Sequence, residues 1–491
     1  MTGYSWSTPV VMAMPALGVN GPEDDVFDWD TVNWRTHEDN VRRLRQRIFK
    51  ATRDGDHKKV RNLQKLMLRS RSNTLVSVRQ VTQRNAGRKT AGVDGQVALT
   101  SRERGELVER LHRHASPCQA LPVKRVFIPK AGNTKKQRPL GIPVLADRVQ
   151  QSRVKNALEP EWEARFEPRS YGFRPGRGCH DAIEIIFKTL CGNRSQRRWV
   201  LDADLAGAFD SIDHEHLLTM IGGFPARGMI REWLKAGVIE SGRFTPTEEG
   251  TPQGGVISPV LLNVAMHGME HAAGVRYRTS VRSDAETVRG CPVLVRYADD
   301  YVAMCHSREQ AEQVKADLTA WLEPRGLRFN EDKTRVVHVE DGFSFLGFDI
   351  RRRLDRQGSG KLLITPSKES VKRLRERLTT EVRSMHGANA AAVVFHLNPV
   401  IRGWSAYSRS VVSGRVFTGL DHHVWHLTYR WARRSHPNKS RGWVATRYFD
   451  KFHKSRQDRW VFGDRDSGAY LTKFAWTKIV RHVPVHSGAS P

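Results

Sequence analysis

The chain has 491 residues, which exceeds the size of one ordinary hydrophobic core, so we expect about two to four domains. Hydrophobic residues make up 39% of the chain, which excludes a fully disordered protein. The sequence contains no apolar run of about 18 residues, so it predicts no membrane span. The formal net charge is +29 with basic residues along the whole chain, which favours a polyanionic partner over a merely soluble basic protein.

The chain has five cysteines, an odd number, and no C-x-x-C pair, which is typical of a protein in a reducing cytoplasm. Residues 1–33 contain no Lys or Arg and several acids, so we expect a disordered acidic tail. After it, apolar residues recur at helical spacing on either side of an Asp54-Gly55-Asp56 break: Val41, Leu44 and Ile48, then Val60, Leu63 and Met67. The pattern predicts two amphipathic helices whose basic faces are solvated and also suit a phosphate backbone.

Residues 120–145 predict a hairpin with its turn at Ala131-Gly132-Asn133. Lys130 and Arg138 flank that turn and could clamp a triphosphate, and surface charge is the alternative interpretation. Two glycine-rich loops follow, at residues 171–178 and 250–259. The second, with Gln253 and Gly254, opens a helix, so its backbone could approach a phosphate or base pair, or it could be an ordinary loop.

Paired carboxylates carry the strongest chemical signal. Asp299 and Asp300 lie between two apolar runs, which predicts a strand pair with both acids at its turn. Asp204 ends another apolar strand and would add a third carboxylate from a neighbouring strand. Phosphoryl transfer with two Mg²⁺ ions needs such oxygen ligands, whereas a polar hairpin turn is the alternative for the Asp-Asp pair alone.

Two further residues follow from the same strand. Asp202 shares a face with Asp204 by the strand period, and we interpret it as a solvated or hydrogen-bonding acid. Phe209, five residues after Asp204, is either core or a ring that meets the sugar and excludes a 2′-OH.

The C-terminal part of the chain differs in composition. Residues 371–491 hold 22 Lys and Arg against 7 Asp and Glu, interleaved with six tryptophans. Basic side chains among aromatics suit RNA, where stacking and phosphate contacts combine. A zinc site from His422, His423, His426 and His436 is the open alternative to stacked or solvated histidines.

The order of these blocks resembles the reverse transcriptases encoded by bacterial group II introns, the intron maturases, over residues 34–475. The matching blocks are Arg138–Pro143, Tyr171–Gly178, Asp204 with Phe209-Asp210, Gly250–Pro259, Tyr297–Asp300 and Phe345–Phe348. In the C-terminal part, Leu397–Tyr407 and Trp431–Ser440 are similar to the family's maturase domain, or domain X.

The resemblance implies an α+β, right-handed fingers–palm–thumb polymerase with a helical C-terminal maturase domain. We expect the palm to be an antiparallel sheet with helices on one face, because strand runs alternate irregularly with helices and no parallel βαβ series appears. We divide the chain into five segments on that basis: a tail (1–33), an N-terminal extension and fingers (34–195), a palm (196–350), a thumb and maturase domain (351–450), and a short basic segment that could be a DNA-binding remnant (451–491).

The resemblance also implies roles for individual residues. Two Mg²⁺ ions would be bound by the catalytic residues Asp204, Asp299 and Asp300. Substrate contacts would come from Lys130, Arg138, Phe209, Gln253, Gly254 and Lys333, with Asn330 in the same block as Lys333. Intron RNA would be bound by Arg402, Trp404, Arg433, Arg434 and Lys439.

The expected function is RNA-directed DNA synthesis for a mobile group II intron, together with assistance to its splicing. The expected partners are intron RNA, an RNA template with a DNA primer, dNTPs and target DNA, with homodimer formation left open. No cysteine follows Cys305, so we expect no Cys/His endonuclease domain. Alternatives are a non-catalytic splicing factor and a reverse transcriptase of a defence or mutagenic-repeat system.

Overall fold

The computed structural model describes residues 28–113, 120–130, 133–192, 195–278, 286–354 and 360–484. These residues form a mixture of helices and mostly antiparallel sheets, in agreement with the predicted α+β class. Among them, no helix is both long and apolar enough to cross a bilayer.

The N-terminal region is helical, as predicted. It consists of α1 (Trp34–Arg53), α2 (His57–Arg69), α3 (Arg71–Arg79), a π-helical turn (Gln80–Arg84), a 3₁₀ turn (Ala86–Lys89) and α4 (Ser101–Arg113). Asn33 and Asp56 cap α1 and α2 through their side chains.

The predicted tail boundary at residue 33 is wrong for its last residues. Trp29 is 2% exposed, packs against Trp34 at 4.6 Å between ring centroids, and belongs to the core around Leu75 and Val149. Burying an indole stabilises the fold strongly, so residues 28–33 are part of the folded region. The rest of the predicted tail, residues 1–27, lies outside the described residues.

A long hairpin and a long helix come next. The predicted hairpin consists of β1 (Val123–Lys130) and β2 (Asn133–Ile142), and residues 131–132 of its turn lie outside the described residues. It is followed by α5 (Leu145–Arg165) and α6 (Cys179–Leu190), separated by the predicted loop at residues 171–178.

Four antiparallel strands form what we call the central sheet, in the order β6-β7-β3-β8. The elements of this region are β3 (Trp199–Asp204), α7 (His214–Ile221), α8 (Arg227–Lys235), β4 (Val238–Glu240), β5 (Arg243–Thr245), α9 (Ser258–Ala265), α10 (Met269–Ala272), β6 (Val293–Tyr297), β7 (Asp300–Cys305), α11 (Arg308–Leu322), a 3₁₀ turn (Glu323–Arg325) and β8 (Arg335–His338). β4 and β5 extend the β1–β2 hairpin into a second sheet, in which β1 and β4 run parallel.

Both faces of the central sheet are covered, whereas we expected helices on one face only. Leu201 and Ala303 belong to the core that includes residues of α7, α9 and α11. On the opposite face of the sheet, Val200 and Val302 pack with α6 and with a further three-stranded sheet. Burial on both faces explains why these strands are nearly continuous apolar runs.

The three-stranded sheet and a helical bundle complete the chain. The elements are β9 (Phe343–Phe345), β10 (Phe348–Leu354), β11 (Gly360–Pro366), α12 (Lys368–Ser384), α13 (Ala390–Ser408), α14 (Gly414–Ser435), α15 (Arg441–Tyr448), β12 (Phe449–Asp450), β13 (Val461–Phe462) and a 3₁₀ turn (Phe474–Trp476). Residues 355–359, between β10 and β11, lie outside the described residues. The bundle has its own core, which includes Leu378, Leu397 and Trp431.

The last described residues return from the bundle to α6. The Val480 N–H donates to the Arg409 carbonyl at 3.0 Å. Arg481 then pairs with Glu184 at 2.9 Å, and the His482 imidazole contacts Asp181 at 2.8 Å. The helical bundle is therefore connected to the central-sheet region at both of its ends.

Candidate active site

Strand register brings the predicted carboxylates to one edge of the central sheet. β3 and β7 are paired so that Asp204, the last residue of β3, lies opposite Asp300, the first of β7. Asp299 lies in the turn between β6 and β7. Strand ends are where a sheet can present polar side chains without interrupting its buried ladder. The carboxylates therefore stand together at the end of a buried sheet.

The electrostatics of these residues show how closely they interact. Burial raises the pKa of Asp300 to about 7, with the negative charges of Asp299 and Asp204 and a hydrogen bond to Asp204 acting in the same direction. Burial also raises the pKa of Asp299, which Asp204 reinforces and the positive charges of Arg138 and Lys333 oppose. Such a set of carboxylates keeps its full charge only beside a cation.

Lys333 is the cation nearest to this group. Its ammonium donates a hydrogen bond to the Asp204 carboxylate, which raises the pKa of Lys333. The loop that carries Lys333 is fixed by the Asn330 N–H, which donates to the Asp204 carbonyl at 2.8 Å. The predicted Asn330–Lys333 block thus lies directly beside Asp204.

A cleft of about 340 Å³ opens at this edge, lined by residues that include Asp204, Asp300, Lys333 and Leu346. Asp202 also lines it, but its carboxylate accepts two hydrogen bonds from Arg335, each 3.2 Å long. Burial raises the pKa of Asp202 and Arg335 opposes that shift. Asp202 is thus a hydrogen-bonding acid on the same sheet face as Asp204, as interpreted from the sequence.

The glycine-rich loop at residues 250–259 connects Phe209 to the hairpin. The Thr251 N–H donates to the Phe209 carbonyl at 2.6 Å, and the Gly141 N–H donates to the Gln253 carbonyl at 2.6 Å. The Phe209 ring is partly buried and meets Phe173 edge-to-face, with 6.1 Å between centroids. Four predicted blocks that are far apart in sequence are therefore in contact with one another.

The two predicted triphosphate contacts are described to different extents. Arg138 is exposed on β2, and its charge acts on Asp299. Lys130 ends β1, while its side chain lies outside the described part of the structure. Carboxylates of the site line the 340 Å³ cleft, and the positive charge of Arg138 acts on one of them, Asp299.

Sequence reasoning missed three buried polar residues at this site. Gln151 of α5 is 2% exposed and accepts the Val256 N–H at 2.8 Å, which fixes the glycine-rich loop. Arg296 and Asn263, each 1% exposed, are hydrogen-bonded to one another at 2.9 Å beneath the Ala298-Asp299 turn. A charged residue inside the apolar run Val293–Tyr297 was the available signal for Arg296, because an unpaired charge is rarely buried.

The predicted RNA-binding residues lie in the helical bundle. Arg433 and Arg434 line a cleft of about 510 Å³ together with Tyr429, Arg430, Pro437 and Arg441. Lys439 is exposed after α14, with its ammonium 5.4 Å from the Trp443 ring centroid, and Arg402 is exposed on α13. The Trp404 ring is half-buried against Phe417 and Phe474, at 6.2 and 6.0 Å between centroids. Packing alone accounts for Trp404, and its contact with RNA stays a prediction.

Within the described residues, no group of three or more His, Cys, Asp and Glu side chains is arranged to hold a metal ion. His422 and His426 instead stack edge-to-face at 4.4 Å between centroids. At the central sheet, Asp204 and Asp300 are in contact and Asp299 interacts with both through its charge. The donors are all carboxylate oxygens, which is the ligand chemistry that Mg²⁺ prefers.

Comparison with known families defines the class of this protein. Residues 128–350 match the family model described as reverse transcriptase (RNA-dependent DNA polymerase). Residues 29–111 match the N-terminal domain of reverse transcriptase, and residues 371–449 match the group II intron maturase-specific domain. The first of these matches contains every carboxylate of the site.

Individual relatives agree with the family matches. Protein YkfC of Escherichia coli is 35% identical over 339 residues, which cover 62% of this chain and 87% of that protein. The group II intron-encoded protein LtrA of Lactococcus lactis is 30% identical over 287 residues, 47% of either chain. Maturase-like protein 1 of Euglena gracilis is 25% identical over 75% of this chain. The aligned part thus spans most of YkfC and about half of LtrA.

The chain belongs to the group II intron-encoded reverse transcriptases with a maturase domain. The predicted recognition, function class and enzyme class are thereby confirmed. Reverse transcriptases in general depend on divalent metal ions, and the family acts on intron RNA and other nucleic acids.

Proposed function

We propose that Asp204, Asp299 and Asp300 are the catalytic residues of RNA-directed DNA synthesis in this chain and would bind two Mg²⁺ ions. The observation that carries the proposal is the cross-strand pairing of Asp204 with Asp300 beside the Asp299 turn. Bound Mg²⁺ would supply charge stabilisation to the attacking and leaving oxygens of phosphoryl transfer. The raised pKa values of Asp299 and Asp300 support a site that is built to face positive charge.

The other residues of the site would orient the nucleotide. Arg138 acts on the charge of Asp299, so a triphosphate near Asp299 would also meet the Arg138 guanidinium. Lys333 adds a second positive charge beside Asp204, and Lys130 is proposed as a third from the same hairpin as Arg138. Phe209 would contact the sugar, while the backbone of Gln253 and Gly254 would bring the glycine-rich loop against the base pair.

We propose the fingers–palm–thumb division on the same basis. The β1–β2 hairpin and the N-terminal helices would be the fingers, and the central sheet with its carboxylates the palm. The bundle of α12, α13 and α14 would form the thumb and maturase domain, with residues 451–491 as a short basic segment after it. The first of these regions, predicted as 34–195, would begin at residue 28 because Trp29 packs in its core, and 196–350 and 351–450 remain our proposed boundaries for the other two.

The maturase domain would bind the intron RNA from which the chain is translated and assist its splicing. Four arginines line the 510 Å³ cleft of the bundle, a surface that attracts phosphates. The polymerase would extend a DNA primer on an RNA template with dNTPs, during insertion of the intron into target DNA. The absence of an endonuclease centre stays a prediction.

Primer extension on an RNA template tests the catalytic assignment. Asp204→Asn and Asp299→Asn each remove one carboxylate charge, so extension should fall by roughly a thousandfold while intron RNA affinity is retained. Asp202→Asn is the matched control, because Asp202 shares the strand and sheet face of Asp204 but pairs with Arg335. Near-parental extension by Asp299→Asn would show that the carboxylates have another role.

A further inference from the structure

A guanidinium is buried directly beneath the turn that carries Asp299. Arg296 of β6 is 1% exposed. Its Nη1 donates to the Asn263 Oδ1 at 2.9 Å and to the Ala298 carbonyl at 3.2 Å. Burial lowers the pKa of Arg296 to about 10, and its Nη2 has no hydrogen-bond partner among the described residues. Burying a charged group is costly in free energy unless that group is hydrogen-bonded or paired with an opposite charge.

Asn263 continues the network on the other side of the turn. It lies on α9, is 1% exposed, and donates from Nδ2 to the Gly172 carbonyl at 2.9 Å. Gly172 lies so close to the turn that a Cβ there would come within 2.2 Å of the Ala298 nitrogen. The Ala298 backbone is therefore enclosed between Gly172 and Arg296.

The enclosed turn is held in a conformation that it would not adopt freely. Ala298 has a φ of +59°, in the left-handed region that disfavours residues with a side chain. Such a conformation persists where surrounding contacts determine it. Asp299 and Asp300 follow Ala298 directly, so the direction of their carboxylates depends on this backbone geometry.

We propose that Arg296 and Asn263 are positioning residues for the catalytic carboxylates. By holding the Ala298 carbonyl and the Gly172 carbonyl, they fix the turn and thereby direct Asp299 and Asp300 toward Asp204. Neither residue needs to contact the nucleotide. The inference rests on the proposed function, in which these three carboxylates bind the divalent cation.

Two conservative variants separate positioning from ordinary core stability. Arg296→Lys keeps the positive charge but removes the forked geometry that reaches both Asn263 and Ala298. Asn263→Asp keeps the acceptor for Arg296 but removes the donor to Gly172. The matched control is Arg153→Lys, because Arg153 is 4% exposed and donates to the Leu68 and Leu111 carbonyls in the N-terminal region.

The experiment measures three quantities on full-length protein: Mn²⁺ binding by electron paramagnetic resonance without dNTP, single-turnover primer extension, and the melting temperature. We expect both positioning variants to bind Mn²⁺ roughly tenfold more weakly and to extend about 10- to 100-fold more slowly at saturating dNTP, since sub-ångström misplacement of catalytic groups has effects of this size. The dNTP KM and RNA affinity should stay close to parental values. Arg153→Lys should lower only the melting temperature.

Gly172→Ala approaches the same turn from the opposite side and should weaken Mn²⁺ binding in the same way. If Arg296→Lys does not fold, the Mn²⁺ affinity of Gly172→Ala tests the positioning role in its place. Parental Mn²⁺ affinity in folded variants, with a loss of melting temperature like that of Arg153→Lys, would overturn the positioning role. A parental protein that extends no primer and binds no Mn²⁺ would instead refute the catalytic assignment, and the inference with it.

Discussion

Gly254 lies against Gly141 so closely that a Cβ on Gly254 would come within 2.7 Å of the Gly141 carbonyl oxygen. The φ of Gly254 is +114°, which side chains also disfavour. Gly254→Ala should therefore push the glycine-rich loop away from the β1–β2 hairpin and raise the dNTP KM by about tenfold. Steady-state primer extension measures this change.

The control for that substitution is Gly228→Ala in α8, where an added Cβ meets nothing within 4 Å. Its dNTP KM should equal that of the parent. An unchanged KM in Gly254→Ala as well would mean that the loop adapts or does not contact the nucleotide.

Phe209 should determine sugar selection. Its ring is held edge-to-face by Phe173 beside the glycine-rich loop, and its backbone is bonded to Thr251. Phe209→Ala removes the bulk that would meet a 2′-OH, so the preference for dNTP over rNTP should fall roughly 10- to 100-fold. Phe395→Ala, which removes a ring that is 76% exposed on α13, should leave the preference unchanged. If both variants select sugars like the parent, Phe209 is a packing residue.

The arginine-lined cleft of the bundle should contact RNA phosphates. Replacing Arg433, Arg434 and Lys439 by Ala should flatten the salt dependence of log affinity for intron RNA by about two to three, at roughly 0.7–0.9 per phosphate contact. Extension of a short primer–template should change less. Filter binding across a salt series provides the slope.

A charge-matched control is available for that triple variant. Arg308, Lys372 and Arg377 each face a glutamate one turn further along the same helix, at 3.8, 4.0 and 3.8 Å. Replacing these three by Ala removes the same formal charge but should leave the slope within about one unit of the parent. Equal slopes in both triple variants would locate the RNA elsewhere.

Glu270 should make stability depend on pH. It is 3% exposed, accepts the Arg169 N–H at 3.1 Å, and burial raises its pKa to about 7. Between pH 4.5 and 7 the folded protein keeps a proton that the unfolded chain releases, so this group's contribution to stability falls as pH rises through that window. The nearby Glu167, whose pKa is lowered to about 2, affects stability only at lower pH.

Glu270→Gln removes this titration while keeping a hydrogen-bonding side chain. The variant should gain about 1–3 kcal/mol relative to the parent between pH 4.5 and 7.5. Urea denaturation at several pH values measures the difference. A difference that is constant over that range would contradict the raised pKa.

Trp29 should contribute to stability as a core residue. Trp29→Ala empties a site that is 2% exposed, and such a truncation costs about 3–5 kcal/mol. Trp460→Ala, at a site that is 57% exposed, should cost much less. Equal shifts of the urea midpoint in the two variants would place Trp29 outside the core.

Strong local patterns made much of the fold predictable. The helical spacing of Val41, Leu44 and Ile48 predicted a helix, and all three lie in α1 (Trp34–Arg53). The apolar runs around Asp204 and Asp300 predicted strands with acids at their ends. The continuous apolar runs were a signal that both faces of the sheet are covered, but they could not show that α6 and the three-stranded sheet form the second cover, because an apolar strand has the same sequence whether a helix or another sheet lies over it.

The residues of the site divide in the same way. Asp204 and Asp300 could be placed at strand ends because each adjoins an apolar run, whereas Lys333 followed only from the resemblance to the family. Arg296 and Asn263 act through partners that are distant in sequence, and a single sequence does not show that Asn263 will connect Arg296 with Gly172. Long-range packing determined that part of the site.

The return of the chain to α6 restricts how the helical bundle can move. The bundle is joined to the rest of the molecule through β11, through Tyr407, whose hydroxyl donates to the Leu346 carbonyl at 2.7 Å, and through Arg481 with Glu184 and His482 with Asp181. These attachments lie on different parts of the bundle, so moving it as a rigid body toward or away from nucleic acid would strain at least one of them. Loss of the Arg481 and His482 pairs would release the end of the described chain from α6, while β11 and Tyr407 would still hold the bundle.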